Sequence, residues 1–159
     1  MIVQFNELET VREKYKDKTI VLGSGVFDLI HRGHVDYIQN LKKHGEIVVV
    51  MVKNDERVHL GKGSARPVIP EQDRVFMVDA LKGVDIAFIG PRTEFSKEAP
   101  DPLYKLVFET LQPDIFYTTN PIWEKLRALN GPEIIIEERI KAGEHASTTE
   151  IIEKIKAQK

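Results

Sequence analysis

The chain has 159 residues, of which 42% are hydrophobic and 30% are charged, and its formal net charge is −2. This length favours one domain over residues 1–159, and the slightly acidic balance argues against a nucleic-acid partner. The absence of cysteine excludes disulfides, thiolate zinc sites and cysteine nucleophiles. No apolar run reaches the ~18 residues that a membrane span needs. A cytoplasmic protein without a membrane partner is therefore expected.

Short runs of β-branched residues alternate with amphipathic stretches along the chain. Five of these runs are predicted to be strands: Thr19–Ser24, Ile47–Val52, Ile86–Ile89, Ile115–Thr118 and Glu133–Ile136. They are continuously apolar, as expected when helices cover both faces of a sheet. Alternating strands and helices imply parallel pairing and right-handed crossovers. The sequence thus predicts an α/β fold with a single-domain, doubly wound, Rossmann-like sheet of five parallel strands.

Helices are predicted between these strands from capping residues and apolar spacing. The apolar residues after Gly33 share one face, Asn54 can cap Asp55–Leu60, and Pro70 opens another helical segment. Three further helix starts follow from a capping residue before proline or from a capping box: Asp101-Pro102, Asn120-Pro121 and Ser147–Glu150.

The segment after the first strand carries the strongest functional signal. Residues 25–34 read GVFDLIHRGH. A doubly wound sheet binds ligands beyond the carboxyl ends of its strands at a switch point, which the first strand usually borders. On a helical turn His31 and His34 would point the same way, and Gly33 would let a phosphate approach the helix amino end. Two such imidazoles could donate to triphosphate oxygens as negative charge builds toward a leaving pyrophosphate.

Other interpretations of these residues stay open. Either histidine alone would more often be structural. The pair could also bind a metal ion, but a third ligand of matching context is not evident, so no protein-bound metal site is predicted. Asp28 could hold a second substrate or orient a histidine, and it could instead fix the turn.

The GVFDLIHRGH string resembles the signature of the cytidylyltransferase-like nucleotidyltransferases, which have an α/β fold of this kind. The resemblance covers roughly residues 18–155, because later motifs match in order. It implies that His31 and His34 are catalytic, contacting the triphosphate and stabilising the transition state. The nucleotide-binding positions that it implies in this segment are Gly25, Val26, Phe27 and Gly33.

A basic loop after the second strand adds three cations. Residues 61–70 read GKGSARPVIP, and Arg74 follows. Lys62, between two glycines, is a mobile cation suited to closing over phosphates, and Arg66 and Arg74 are forked donors able to clamp phosphate oxygens. Taken alone, this loop would more often be solvated surface. Its order and spacing resemble ADP-heptose synthases and archaeal FMN adenylyltransferases, which implies a catalytic Lys62 and favours ATP over CTP.

The capping box near the end resembles a Ser-Thr-Thr segment that meets nucleotide phosphates in the family. Ser147, Thr148 and Thr149 are therefore implied to bind nucleotide as well as to begin a helix.

Two segments depart from the relatives. Residues 117–123 read YTTNPIW, where heptose adenylyltransferases have a Lys-Gly-x-Asp-type segment. His145 precedes the capping box and could touch nucleotide or acceptor, or lie in solvent.

Together the motifs predict an enzyme that transfers a nucleoside monophosphate, preferably AMP, to a phosphorylated acceptor and releases pyrophosphate. Mg²⁺ is expected with the nucleoside triphosphate, and a sugar 1-phosphate resembling heptose phosphate is the first expectation for the acceptor. CTP-dependent transfer to glycerol 3-phosphate or another alcohol phosphate is the alternative, and FMN or phosphopantetheine stays open. A non-catalytic nucleotide sensor and a histidine-ligated metal hydrolase are further alternatives. The resemblance also implies a homodimer.

Overall fold

The computed structural model describes residues 1–96, 101–138 and 147–158. The strands are β1 (Ile20–Gly25), β2 (Ile47–Val52), β3 (Ile86–Ile89), β4 (Ile115–Thr118) and β5 (Glu133–Ile136). The α-helices are α1 (Leu8–Lys14), α2 (Arg32–Leu41), α3 (Asp55–Lys62), α4 (Glu71–Asp79), α5 (Pro102–Leu111) and α6 (Thr148–Ala157). Two 3-10 helices cover Phe5–Glu7 and Pro121–Ala128.

These elements confirm most of the predicted ones. Four strands have the predicted bounds, and β1 is displaced by one residue toward the carboxyl end. The side chains of Asn54, Asp101 and Ser147 each accept a hydrogen bond from the first turn of the helix that they cap. Helix α1 is absent from the predicted set because only two of its residues, Leu8 and Val11, are buried, too few to form an apolar stripe.

All five strands are parallel and lie in the order β3-β2-β1-β4-β5. The chain winds outward from β1 through β2 to β3, and it then returns to the other side of β1 to form β4 and β5. The winding direction therefore reverses between β1 and β4, and ligands bind at such a point in open α/β sheets. This topology confirms the predicted doubly wound fold.

Two apolar clusters cover the two faces of the sheet. Helices α1 and α5 contribute to one of them, and α2 and α4 contribute to the other. Gly23 brings α2 close to β1, because a Cβ at this position would lie 2.5 Å from Cδ1 of Leu41. The amino end of α2 is thereby fixed beside the end of β1. Among the described residues, no helix is both long and apolar enough to cross a membrane.

Candidate active site

A cavity of about 260 Å³ opens at the carboxyl edge of the sheet, at the switch point between β1 and β4. Its walls come from the β1–α2 loop, the start of α2, the residue after β4 and the start of α6. Most of the predicted site residues line it: Gly25, Val26, Phe27, Asp28, His31, Gly33, His34, Lys62, Arg66, Ser147, Thr148 and Thr149. The fold thus brings together residues that are up to 124 positions apart in the chain.

The rings of the two motif histidines lie in contact, tilted against each other, at the start of α2. Their ring centroids lie 4.0 Å apart with an interplanar angle of 32°. The N–H of Gly33 donates to Nδ1 of His31 at 3.2 Å, and the N–H of His31 donates to Nδ1 of His34 at 3.4 Å. Because Nδ1 accepts in both rings, the neutral tautomer of each ring carries its proton on Nε2. His31 therefore also caps α2, an additional structural role.

Two glycines make room for this arrangement. A Cβ on Gly25 would lie 2.8 Å from Cε2 of Phe27, and a Cβ on Gly33 would lie 3.1 Å from Cε1 of His31. Phe27 has a positive φ of 56°, a conformation that costs a side chain roughly 1–3 kcal/mol. Burial of its ring, which is 1% exposed, offsets that cost.

Tyr37 of α2 bridges the gap where β1 and β4 diverge. Its hydroxyl accepts from the N–H of Ser24 at 3.0 Å and donates to the carbonyl of Tyr117, also at 3.0 Å. Both backbone groups lie just where the β1–β4 pairing ends. Burial raises the pKa of Tyr37 well above its usual value, so the hydroxyl stays neutral as this double link requires. The switch point is thus held open by a side chain absent from the predicted site.

Asp28 anchors the basic loop to the motif. Its carboxylate accepts from Nε of Arg66 at 2.7 Å and from the N–H groups of Val68 and Ile69 at about 3.0 Å. Burial raises the pKa of Asp28, but these two N–H donors and the guanidinium outweigh burial and hold the pKa below 3.8. Both carboxylate oxygens are therefore occupied. The structure shows Asp28 in its turn-fixing role, and acceptor binding by Asp28, which also lines the cavity, stays a prediction.

The structure does not support the predicted phosphate contact of Arg74. Its side chain is fully buried and does not line the cavity. Nε donates to the carbonyl of Ile69 at 2.8 Å, and the two terminal nitrogens donate to Val26, Lys53 and Asp55. Arg74 is one of the three buried residues of α4, together with Val75 and Val78. It ties together the ends of β1, β2 and the basic loop, whereas Lys62 and Arg66 line the cavity.

The start of α6 docks onto the motif loop. The predicted capping box is confirmed, since Oγ of Ser147 accepts from the N–H of Glu150 at 3.2 Å and the Glu150 carboxylate accepts from the N–H of Ser147. Oγ1 of Thr148 donates to the carbonyl of Asp28 at 2.7 Å. The positive end of this helix therefore faces the same cavity as that of α2. His145 lies outside the described residues.

Sequence reasoning missed a second cavity, of about 350 Å³, which adjoins the first. Val26 and Lys62 line both cavities. Lys53, at the end of β2, and Trp123, in the divergent segment 117–123, line only the second. The available signal was Trp123, because an aromatic residue in a segment that departs from the Lys-Gly-x-Asp type of the relatives can form a pocket wall.

No group of three His, Cys, Asp or Glu side chains suited to a metal ion is found within the described ranges. Asp36 is among the carboxylates on the wall of the first cavity, and it lies 3.6 Å from Nε of Arg32. A metal ion in this cavity would therefore need ligands from the substrate or from water.

Comparison with known proteins agrees with this architecture. The chain is 35% identical over 150 residues to the bifunctional protein HldE of Helicobacter pylori (strain G27), covering 94% of this chain and 30% of that protein. It is 33% identical to HldE of a Nitratiruptor species, covering 98% of this chain and 32% of that protein. The chain thus spans about a third of the length of these curated relatives.

Solved structures share the fold. A lipopolysaccharide core biosynthesis protein from Thermoplasma volcanium GSS1 is 26% identical, with a TM-score of 0.61, covering 78% of this chain and 99% of that one. A pantothenate synthetase from Thermus thermophilus has a TM-score of 0.61 at 20% identity, covering 94% and 66%, and shows likeness of fold alone. Residues 22–154 match the cytidylyltransferase-like family. The chain belongs to this cytidylyltransferase-like family and is a nucleotidyltransferase.

Proposed function

We propose that the chain transfers AMP from ATP to the phosphate of a phosphorylated sugar and releases pyrophosphate. The observation that carries this proposal is the convergence of His34, Lys62 and the amino ends of α2 and α6 on one cavity. These groups offer hydrogen-bond donors and positive charge to one space. Such a site is suited to binding a triphosphate and stabilising the charge of a phosphoryl-type transition state.

The reaction needs no covalent enzyme intermediate. An acceptor phosphate oxygen, already anionic at neutral pH, attacks the α-phosphorus and forms a new P–O bond. The bond from that phosphorus to the α–β bridging oxygen breaks, and its electron pair leaves with pyrophosphate. Positioning of the two substrates supplies much of the rate. The Nε2–H donor of His34 and the ammonium of Lys62 stabilise the charge that moves onto the leaving group.

We propose that Mg²⁺ arrives bound to the triphosphate. Few protein ligands are required for this, because Mg²⁺ keeps several waters and binds substrate phosphates. Asp36 is the carboxylate of α2 that lines this cavity and could contact one of those waters. The ion would neutralise phosphate charge during the transfer.

Two likenesses support ATP and a sugar phosphate. The basic loop resembles that of ADP-heptose synthases, and the Thermoplasma volcanium protein of similar fold is described as a lipopolysaccharide core biosynthesis protein. The curated relatives are bifunctional proteins about three times longer, so their activities are extended here only to this domain. A reaction that consumes nucleoside triphosphate also fits the cytoplasm, which we propose as the location.

Pyrophosphate release tests this proposal. ATP, CTP, GTP and UTP would each be combined with heptose 1-phosphate, a hexose 1-phosphate and glycerol 3-phosphate in the presence of Mg²⁺. We expect release with ATP and a sugar 1-phosphate, and none when the acceptor is omitted. Release with CTP and glycerol 3-phosphate would replace the proposed substrates with the alternative pair. Nucleotide binding without release for any pair would favour a sensor.

The resemblance also leads us to propose a homodimer. Phe76 on α4 is 69% exposed, and Val68 is 54% exposed. Apolar side chains this exposed are suited to burial against a second copy. Sedimentation equilibrium should give a mass near twice 18.2 kDa, and Phe76→Asp should shift it toward the monomer if this surface is buried. A monomeric wild-type chain at micromolar concentration would contradict the proposal.

A further inference from the structure

The second cavity has a different chemical character from the first. Its volume of about 350 Å³ falls at the lower end of the range typical of small-molecule sites. Phe95 and Trp123 give it aromatic walls, and Val58 adds an aliphatic surface. The first cavity is lined instead by imidazoles, hydroxyls and helix amino ends. The second cavity therefore suits the body of a small molecule better than it suits a triphosphate.

Arg57 and Lys53, two cations that line this cavity, differ in their contacts. Arg57 is 6% exposed and is paired with Asp101, and it also donates to Oγ1 of Thr93 at 3.1 Å. Its guanidinium lies 5.3 Å from the ring centroid of Phe95. Arg57 is therefore a fixed part of the wall, joining α3 to the start of α5 and holding an aromatic ring in place.

Lys53 has no such partner among the described residues. Its ammonium lies 5.1 Å from the ring centroid of Trp123 and 5.9 Å from that of Tyr104. No salt bridge joins it to a carboxylate in the described part of the chain. The side chain is half-buried, so water compensates its charge only in part. A half-buried ammonium held against aromatic faces is suited to an anionic ligand.

The position of this cavity relates that anion to the reaction. Val26 and Lys62 form the border between the two cavities. A triphosphate in the first cavity and a phosphomonoester in the second would bring their phosphates together at this border. That is the arrangement that an in-line displacement requires.

We propose that the second cavity is the acceptor site, in which Lys53 pairs with the acceptor phosphate and Trp123 stacks against a flat ring next to it. The inference rests on the proposed nucleotidyl transfer and deepens it by naming the acceptor class. That class is a phosphomonoester of a ring-shaped molecule, either a pyranose with a flat C–H face or an aromatic ring. Glycerol 3-phosphate lacks such a face and would fill only part of the cavity.

Trp123 makes this site directly observable because it is the only tryptophan in the chain. Its fluorescence would be followed while glucose 1-phosphate, phenyl phosphate, glycerol 3-phosphate or unphosphorylated glucose is added, with a non-hydrolysable ATP analogue and Mg²⁺ present. We expect a saturable change with one or both ring phosphomonoesters and none with glucose. Tightest binding by glucose 1-phosphate would identify a sugar ring, and tightest binding by phenyl phosphate an aromatic one. Equal affinity for glycerol 3-phosphate, or no change with any probe, would overturn the proposal.

Lys53→Met tests whether Lys53 contributes to phosphomonoester binding and not to nucleotide binding. The variant keeps the length of the side chain and removes its charge, and Lys125→Met is the matched control on an exposed position of the neighbouring 3-10 helix. We expect Lys53→Met to raise the Kd of the bound phosphomonoester about tenfold or more, as for loss of one charged hydrogen bond. Calorimetry should show unchanged affinity for the ATP analogue. Unchanged phosphomonoester affinity, or an equal loss of nucleotide affinity, would contradict the assignment.

Pyrophosphate release distinguishes failure of this inference from failure of the proposed function. If every nucleotide and acceptor pair gives no release while the fluorescence titration and Lys53→Met behave as expected, the transfer is wrong and the phosphomonoester site stands. If release occurs and Lys53→Met leaves the KM for the acceptor unchanged, the transfer stands and the assignment of Lys53 is wrong.

Discussion

His31 and His34 have the same side chain but different surroundings. His31 is the N-cap of α2, and its Nδ1 accepts from the N–H of Gly33. His34 lies within the first turn of α2, with its ring 5.3 Å from that of Phe27. Loss of His31 would therefore disturb both the helix start and the site. His34 accepts from the N–H of His31 in the same capping box, so a His34 variant needs a folding control before its effect is assigned to the transition state.

His34→Ala should lower kcat by about 100-fold or more, as does loss of one donor to a developing negative charge. Steady-state pyrophosphate release measures this effect, and the thermal unfolding midpoint shows whether the variant is folded. His59→Ala is the matched control, since His59 is exposed on α3 and lines neither cavity. Near-normal kcat in a folded His34→Ala protein would remove His34 from the mechanism.

Asp28 gives a prediction about stability and pH. In Asp28→Asn, loss of the charged hydrogen bonds should lower the free energy of unfolding by about 1.5–3 kcal/mol at neutral pH. The pKa of Asp28 is lowered in the folded chain, so the carboxylate contributes its full stability above the unfolded pKa of about 4. That contribution is lost as the pH falls through the lower, folded pKa.

Urea unfolding between pH 3 and pH 7 measures this difference. The gap between wild type and Asp28→Asn should be constant above about pH 5 and should narrow below about pH 4. Asp17→Asn, at an exposed position, is the control. A gap that stays the same down to pH 3 would mean that the ionised carboxylate is not what holds the loop.

At the residue scale, the sequence predicts which side chains reach the site better than it predicts what they do there. The histidine pair could be placed at the site because the string that contains it is long and specific, and Lys62 because its loop resembles that of ADP-heptose synthases. Asp28 and Arg74 could not be assigned, because a charged residue beside a phosphate motif can contact the ligand or the backbone. Their hydrogen-bond partners at Val68, Ile69 and Lys53 follow only from the folded path of the loop.

At the scale of secondary-structure elements, α6 is the helix of the site that lies farthest along the chain from the histidine motif. The hydrogen bond from Thr148 to the carbonyl of Asp28 joins its first turn to the motif loop, 120 residues away. The capping box fixes where α6 begins, and this bond fixes where that beginning lies. Two helix amino ends thereby face one cavity, which doubles the partial positive charge offered to a triphosphate.

Thr148→Val should weaken this connection while keeping the shape of the side chain. The carbonyl of Asp28 would lose its donor, so we expect the free energy of unfolding to fall by about 1–3 kcal/mol. The Kd of ATP should rise as well, because the amino end of α6 is no longer fixed beside the phosphates. Calorimetry and urea unfolding measure the two effects. Thr10→Val, at an exposed position of α1, should change neither.

The strands could be predicted to within one residue because each contains a run of apolar residues, most of them buried or partly buried. Helices α2 and α5 could also be predicted, since each buries apolar residues that recur at helical spacing. Helix α1 gives little signal because it packs on one edge of the core through few residues. Asn120-Pro121 does begin a helix, but a 3-10 helix, and its one fully buried residue, Leu126, offers little to support regular α-helical packing.

At the scale of the whole molecule, the strand order places both cavities at the carboxyl edge of the sheet. The reversal between β1 and β4 opens the first cavity, and Tyr37 satisfies the backbone groups that the reversal leaves unpaired. The ends of β2 and β4 lead into the second cavity. The sequence predicts a ligand site at this edge, because it predicts a doubly wound sheet and such sheets bind ligands there. It does not predict the second cavity, because its walls come from segments that meet only after folding.

Because the first cavity is built from segments that are far apart in the chain, a bound triphosphate should stabilise the entire chain. ATP and Mg²⁺ at about 100 times the Kd should add about 2.7 kcal/mol to the free energy of unfolding, which corresponds to about 5–10 °C in Tm. Adenosine should change the Tm little, since the hydrogen-bond donors of the cavity are suited to phosphates, which adenosine lacks. Removal of Mg²⁺ with a chelator should reduce the shift given by ATP, because triphosphate charge would then be neutralised only by Lys62, Arg66 and the helix ends. Equal stabilisation by adenosine and ATP would place the main binding energy outside the histidine motif.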